Sequence, residues 1–83
     1  MNSTEAFTQV VQIITPFAKN APALAAATPS TRILEDLGVN SARLVDIILN
    51  FEDAFDIAVD DAAADKVRTL GDAVEMIVAK TSH

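Results

Sequence analysis

The serine that opens an apolar run in the middle of the chain is the residue best suited to chemistry. Ser41 follows Gly38 and Asn40 and precedes the apolar segment that ends near residue 55. A serine in the first turn of a helix is a favourable site for a phosphate ester, because unpaired backbone N–H groups and the helix dipole stabilise an anion there. The glycine bend would leave its hydroxyl accessible to another protein. On these residues alone, an ordinary helix start is the competing interpretation.

Residues for other kinds of chemistry are missing or badly spaced. The one histidine, His83, lies at the end of the chain, so no Ser-His-Asp set can be built from it. Gly38 and Gly71 are too far apart for a phosphate-binding loop. The chain has no Cys, and its acids lack the spacing of a calcium loop. We therefore expect no catalytic residue, no dedicated metal site and no enzyme activity.

Acidic residues are concentrated in the middle of this chain of formal net charge −6. Between residues 35 and 65 the only base is Arg43, and nine acids accompany it: Glu35, Asp36, Asp46, Glu52, Asp53, Asp56, Asp60, Asp61 and Asp65. This pattern argues against nucleic-acid binding, since phosphate contacts need clustered Lys and Arg. It favours a protein partner with a basic surface. A solvated face kept for solubility is the alternative.

Length and composition favour a small helical protein. The 83 residues are 51% hydrophobic with only two Gly, which favours helices, and we expect a single domain over residues 1–83. The N-terminus lacks the layout of a signal peptide, and no apolar run approaches the ~18 residues of a membrane span. We expect a cytoplasmic monomer without a membrane span.

The spacing of apolar residues predicts an all-α antiparallel four-helix bundle with three longer helices, one short helix and a long first loop. The first helix is capped at residues 2–4 and kinks or ends near Pro16. The second has Asn40 as N-cap, begins at Ser41 and runs to about Phe55. The short helix is capped by Asp60 or Asp61 and runs to Lys66 or Val67.

The last helix and the long loop carry local signals of their own. Residues 69–72 resemble a capping box. The buried face of the last helix is predicted to comprise Leu70, Ala73, Val74 and Ile77. The connection over residues 19–31 contains two prolines and one helical turn at residues 24–27. Leu34 and Leu37 are the predicted buried anchors of the segment after it.

Several motifs with their joint spacing resemble the acyl carrier proteins of fatty-acid and polyketide synthesis. They are residues 35–41 (EDLGVNS), 44–47 (LVDI), 51–57 (FEDAFDI) and 69–74 (TLGDAV). The resemblance covers nearly the whole chain and is densest between Ile33 and Ile77. It implies that a phosphopantetheinyl transferase esterifies Ser41 with a 4′-phosphopantetheine arm from coenzyme A. The arm would carry an acyl group as a thioester to acyl ligases or synthases with basic docking surfaces.

The resemblance also assigns roles by position. Ser41 would be the attachment site, with Asn40 beside it. Partner contacts would involve Ala42, Arg43, Val45, Asp46, Leu49, Glu52, Asp53 and Asp56. Leu44, Ile48 and Ile57 would line a cavity for the acyl chain.

Three departures from the family pattern lie around the attachment serine. Asn40 stands in place of an Asp, Ala42 in place of a bulky Leu, and Arg43 in place of an acid. They indicate a specialised carrier with its own partners. A peptidyl carrier for an aminoacyl group and an unmodified carrier-like interaction module remain the alternatives.

Overall fold

Three helices of twelve residues each form the frame of the computed structural model, which describes residues 1–81. In chain order the α-helices are α1 (Ser3–Ile14), α2 (Ala21–Ala25), α3 (Leu44–Phe55), α4 (Asp61–Asp65) and α5 (Leu70–Thr81). Within residues 1–81 the only β-type pairing is an isolated bridge between Arg32 and Thr69. The predicted all-α bundle with three long helices is confirmed. Ser82 and His83 lie outside the described residues.

The ends of α1 follow the local sequence. The side chain of Asn2 accepts a hydrogen bond from the backbone N–H of Glu5 at 2.8 Å, which is the predicted N-cap. Pro16 lies in a 3₁₀ turn over Thr15–Phe17 that closes the helix. Proline lacks a backbone N–H, so the regular α-helical pattern ends one residue before this turn.

The long first loop contains α2, which lies earlier in the chain than the predicted helical turn at residues 24–27. The side chain of Asn20 caps α2 by accepting from the backbone N–H of Ala23 at 3.2 Å. Pro22 lies in the first turn, where its missing N–H has no helical partner to lose. The predicted position was wrong because the proline begins this helix rather than preceding it.

The segment after the loop is anchored by Ile33 and Leu37, which are fully buried. Leu34, the other predicted anchor, is only half-buried. The chain here is not helical, and its direction is set by backbone bonds to the start of α5. The N–H of Ile33 donates to the carbonyl of Arg68 at 3.0 Å, and that of Leu70 donates to Thr31 at 3.0 Å. These distant contacts could not be read from local periodicity.

The core lies between the three long helices, and α1 packs against both α5 and α3. Its largest fully buried side chains are Val10, Ile14, Ile33, Leu37, Ile47, Phe51, Leu70 and Ile77. The four residues predicted for the buried face of α5 are all buried. Burial of these apolar side chains is the main force that holds the helices together.

The predicted capping box at the start of α5 is confirmed. The hydroxyl of Thr69 accepts from the N–H of Asp72 at 3.1 Å, and the Asp72 carboxylate accepts from the N–H of Thr69 at 3.0 Å. The same carboxylate accepts from the N–H of Arg68 at 3.1 Å. These backbone N–H groups of Thr69 and Arg68 lower the pKa of Asp72 below its ordinary value.

The connection from α3 to α4 is short and ordered by acids. Asp56 ends α3 with a left-handed φ of 53°, a conformation that Asp tolerates better than most residues. Asp60 caps α4 by accepting from the N–H of Ala63 at 2.8 Å, as predicted for the short helix. None of the helices in residues 1–81 is long and apolar enough to cross a membrane.

Candidate functional site

Ser41 is exposed at the first residue of a 3₁₀ turn that leads into α3. Gly38 precedes it with a φ of +69°, a left-handed conformation that L-residues other than glycine adopt at a cost. Val39 is buried between the two and fixes the direction of the chain. Within residues 1–81 no hydrogen bond occupies the Ser41 hydroxyl, so it is accessible to a modifying enzyme.

The regular α-helix begins at Leu44, three residues later than predicted. Asn40 is the predicted cap, but its side-chain oxygen accepts from the N–H of Ala42 at 2.9 Å. The carbonyl of Asn40 accepts from the N–H of Arg43 at 2.8 Å, which is the bonding pattern of a 3₁₀ turn. Ser41 therefore lies in a 3₁₀ turn that precedes α3 and not in the first turn of the α-helix.

The carboxylate of Asp36, five residues before Ser41, holds the segment that leads to the serine. Asp36 accepts from the backbone N–H of Arg32 at 2.8 Å and pairs with the Arg32 guanidinium at 3.3 Å. The backbone N–H of Arg32, followed by its side chain, lowers the pKa of Asp36. The carbonyl of Asp36 also accepts from the amide of Asn20 at 3.1 Å. The approach to Ser41 is therefore held by a local bond to Arg32 and by a distant one to Asn20.

The outward face of α3 combines apolar and acidic side chains. Val45 is 65% exposed and Leu49 is 52% exposed, which makes them the large apolar residues of α3 that face solvent. Exposed Ala42, Arg43, Asp53 and Asp56 and half-buried Asp46 and Glu52 complete the predicted partner-contact set. The structure brings these eight residues together on and around one helix, while their role as contacts stays a prediction.

Three residues of this face also make bonds within the chain. Arg43 pairs with Asp46, with 3.1 Å between guanidinium Nη1 and carboxylate Oδ2. One carboxylate oxygen of Glu52 accepts from the backbone N–H of Val59 at 3.0 Å and so ties the α3–α4 connection to α3. The sequence assigned Glu52 to a partner and gave no sign of this bond, because Val59 lies in an irregular segment.

An open groove of about 850 Å³ lies beside α3 and has an apolar floor. Leu44 and Ile48 line it, as predicted for an acyl cavity. Ile57 does not line it; it is half-buried and packs against the core. Apolar residues that the sequence did not assign to the groove also line it: Leu34, Val59, Ala64 and Val67.

The rim of this acyl groove is polar. Acidic Glu35, Glu52, Asp61, Asp65 and Asp72 line it together with the bases Arg32 and Arg68. Val45 and Leu49 also lie at the groove, so the exposed face of α3 and the groove are continuous. Within residues 1–81 no group of three or more acids or histidines is arranged to hold a metal ion.

Comparison with known proteins identifies the family to which this chain belongs. The family described as "phosphopantetheine attachment site" matches residues 9–77. The chain belongs to the acyl carrier protein family. It is similar to an acyl carrier protein of Desulforapulum autotrophicum, with 43% identity over 53 residues, which cover 64% of this chain and 69% of that protein. It is also 42% identical over 53 residues to an acyl carrier protein of Thermotoga maritima, covering 64% of this chain and 65% of that protein.

A solved structure shows that the similarity to the family includes the fold. A structure described in terms of the thermal stability of the acyl carrier protein from Enterococcus faecalis superposes with a TM-score of 0.78. The match covers 96% of this chain and 99% of the other at 29% identity. The helical bundle described above is therefore the fold of the family.

The prosthetic group of this family is a covalently attached 4′-phosphopantetheine. The turn at residues 41–43 fits such a group, because the Ser41 hydroxyl is exposed and bonds to none of residues 1–81. The side-chain oxygen of Asn40 accepts from the N–H of Ala42 and does not bond to the Ser41 hydroxyl. The family's carriers work with transferase and synthase enzymes, and the relatives are carriers rather than catalysts.

Proposed function

We propose that Ser41 is the attachment site and that the chain carries an acyl group between enzymes of fatty-acid, lipid or polyketide synthesis. The observation that carries the proposal is the exposed Ser41 hydroxyl, which bonds to none of residues 1–81 and lies on a turn beside the acyl groove. When bound, the phosphopantetheine supplies a terminal thiol on which an acyl group can be held as a thioester. The chain's own residues present the serine, shelter the cargo and dock the partners.

Docking falls to the exposed face of α3. Asp53 and Asp56 are exposed, and Val45 and Leu49 add apolar area next to them. A partner with a basic rim around an apolar patch would complement this face, since charge steers the encounter and apolar burial holds the complex. Such partners include the transferase that modifies Ser41 and the acyl ligases or synthases that use the carrier.

Shelter of the cargo falls to the acyl groove. Leu44 and Ile48 begin its apolar floor within two turns of Ser41, and Val59 and Val67 extend it. A volume of about 850 Å³ is of the size that binds small molecules in proteins.

The experiment that tests carriage is acyl loading of the whole chain. The protein is incubated with a broad-specificity phosphopantetheinyl transferase and an acyl-coenzyme A, and intact mass is measured before and after neutral hydroxylamine. We expect one added acyl-phosphopantetheine, of which hydroxylamine removes only the acyl part. Ser30→Ala, which removes another exposed serine, is the matched control and should load like the wild type. A mass that does not change would contradict the proposal.

Asn40, Ala42 and Arg43 support the narrower proposal of a specialised carrier with its own partners. The peptidyl carrier, which shares the chemistry but holds an aminoacyl group, is distinguished by loading with an aminoacyl in place of an acyl donor. The unmodified interaction module is excluded by any mass gain at Ser41. A monomeric, cytoplasmic protein of one domain remains our prediction.

A further inference from the structure

A second and smaller groove, of about 500 Å³, lies between the end of α1 and the turn that carries Ser41. Its lining residues are Pro16, Phe17, Ala18, Lys19, Asn40 and Arg43. Two of the six are bases and none is an acid, in contrast to the acyl groove with its five carboxylates. In a chain of net charge −6, two bases thus line a groove next to the serine that no acid lines. We refer to it as the basic groove.

Lys19 is held at this groove by its backbone. Its N–H donates to the carbonyl of Leu37 at 2.9 Å, and the next N–H, that of Asn20, donates to the same carbonyl at 3.1 Å. The Cβ of Lys19 lies 3.4 Å from where a side chain on Gly38 would begin. The stem of Lys19 therefore starts beside the bend that leads to Ser41. Within residues 1–81 its ammonium group forms no ion pair.

Arg43 provides the second positive group. Its Nη1 donates to Asp46, while the side chain stays 65% exposed. A guanidinium has five N–H donors in a planar fork, so the pair with Asp46 leaves donors for a second anion. Asp46 does not line the basic groove, and it holds Arg43 without filling the space between Arg43 and Lys19.

We propose that Lys19 and Arg43 together bind the phosphate of the prosthetic group. The proposal rests on Ser41 being the attachment site. Asn40 lines the groove and directly precedes Ser41, so we expect a phosphate on the serine oxygen to reach the edge of the groove. Charge-assisted hydrogen bonds suit a phosphate, and tethering gives it a high effective concentration there. Lys19 and Arg43 are then positioning residues that fix the root of the arm.

The test uses ³¹P NMR of fully loaded protein. Wild type, Lys19→Gln, Arg43→Gln and the double variant are loaded to completion, checked by intact mass, and compared at low salt and at 1 M salt. We expect the wild-type phosphodiester resonance to move when salt screens the contact, and the double variant to show the high-salt position throughout. Lys66→Gln, which removes an exposed base outside the groove, should behave like the wild type.

A second readout separates phosphate binding from a merely structural role. The midpoint of thermal unfolding is measured for the unmodified and loaded forms of each variant. We expect loading to raise the wild-type midpoint by roughly 2 °C at low salt, and the double variant to lose this gain. A structural role would lower both forms equally and leave the gain intact.

The outcomes distinguish this proposal from the proposed function. If the wild type fails to load at all, Ser41 as attachment site is overturned and this proposal with it. If the wild type loads but its resonance and its gain in midpoint match those of the double variant, only the phosphate contact is overturned. Loss of both signals in the double variant, with both retained in Lys66→Gln, supports the contact.

Discussion

At the scale of single residues, the hydrogen bonds of individual side chains decide which groups at the site are accessible. The side-chain oxygen of Asn40 accepts from the N–H of Ala42 within the turn, and the hydroxyl of Ser41 has no partner among residues 1–81. One carboxylate oxygen of Glu52 accepts from the N–H of Val59, so a substitution of Glu52 would remove a structural hydrogen bond together with the charge. Asp53 is exposed and makes no ion pair among the described residues, which makes it the clean probe of the acidic face.

Reversal of charge at Asp53 should slow modification of Ser41. We expect Asp53→Lys to lower the rate of transfer from coenzyme A severalfold at low salt, and the loss to shrink above 0.5 M salt, because screening weakens steering. The measurement is the time course of intact mass at several ionic strengths. Glu5→Lys makes the same charge change at an exposed position on α1 and should leave the rate near that of the wild type. Equal rates for both variants at all salt concentrations would rule out electrostatic docking through α3.

At the scale of elements, the buried side of α3 contributes to stability, and we expect its exposed side to contribute to partner recognition. Ile48 is 7% exposed and belongs to the core, whereas its neighbour Leu49 is 52% exposed. We expect Ile48→Ala to cost about 2–4 kcal/mol in free energy of unfolding, and Leu49→Ala to change it by no more than about 0.5 kcal/mol. Urea unfolding measures both values.

The rate of Ser41 modification should depend on the exposed side instead, so we expect Leu49→Ala to be modified more slowly than the wild type. A large loss of stability in Leu49→Ala would mean that this side chain is a core residue.

The start of α5 makes a prediction about pH. The pKa of Asp72 is lowered in the folded state by the N–H groups of Thr69 and Arg68. A carboxyl with a lowered folded pKa stabilises the fold above its unfolded pKa of about 3.8, and this contribution is lost as pH falls through the folded pKa. Asp72→Asn should therefore lose about 0.5 kcal/mol at pH 7 and progressively less below pH 4.

Urea unfolding between pH 2.5 and 7 checks this. Asp65→Asn removes an exposed acid that makes no described hydrogen bond, and its difference from the wild type should show a weaker dependence on pH. If the two variants follow the same pH profile, the contacts of Asp72 with the backbone do not contribute to the stability.

The elements that sequence could predict are those fixed by neighbours in the chain. The caps at Asn2 and Asp60 and the capping box at Thr69 are local patterns, and all are present. The position of α2 was missed because a proline can either begin or end a helix. The start of α3 was missed because Asn40 caps a 3₁₀ turn with the same side chain that caps an α-helix.

At the scale of the whole molecule, the fold sorts charge into two regions around one serine. The acidic face of α3 follows Ser41 in the chain, and the rim of the acyl groove takes Glu35 from before Ser41 and its other acids from after it. The basic groove joins Arg43 to Lys19, which follows the end of α1. The sequence showed the acids because they are concentrated in one stretch of the chain, residues 35–65. It could not show the basic groove, since residues 19 and 43 meet only through the backbone bonds of residues 19 and 20 to Leu37.

Carriage depends on modification of Ser41, and one measurement tests that modification most directly. The chain is incubated with a broad-specificity phosphopantetheinyl transferase and coenzyme A, digested, and the modified fragment is sequenced by tandem mass spectrometry. We predict a single phosphopantetheine on Ser41 and none on Ser41→Ala. A group found on another serine, a gain that survives in Ser41→Ala, or an unmodified wild-type chain would contradict the account.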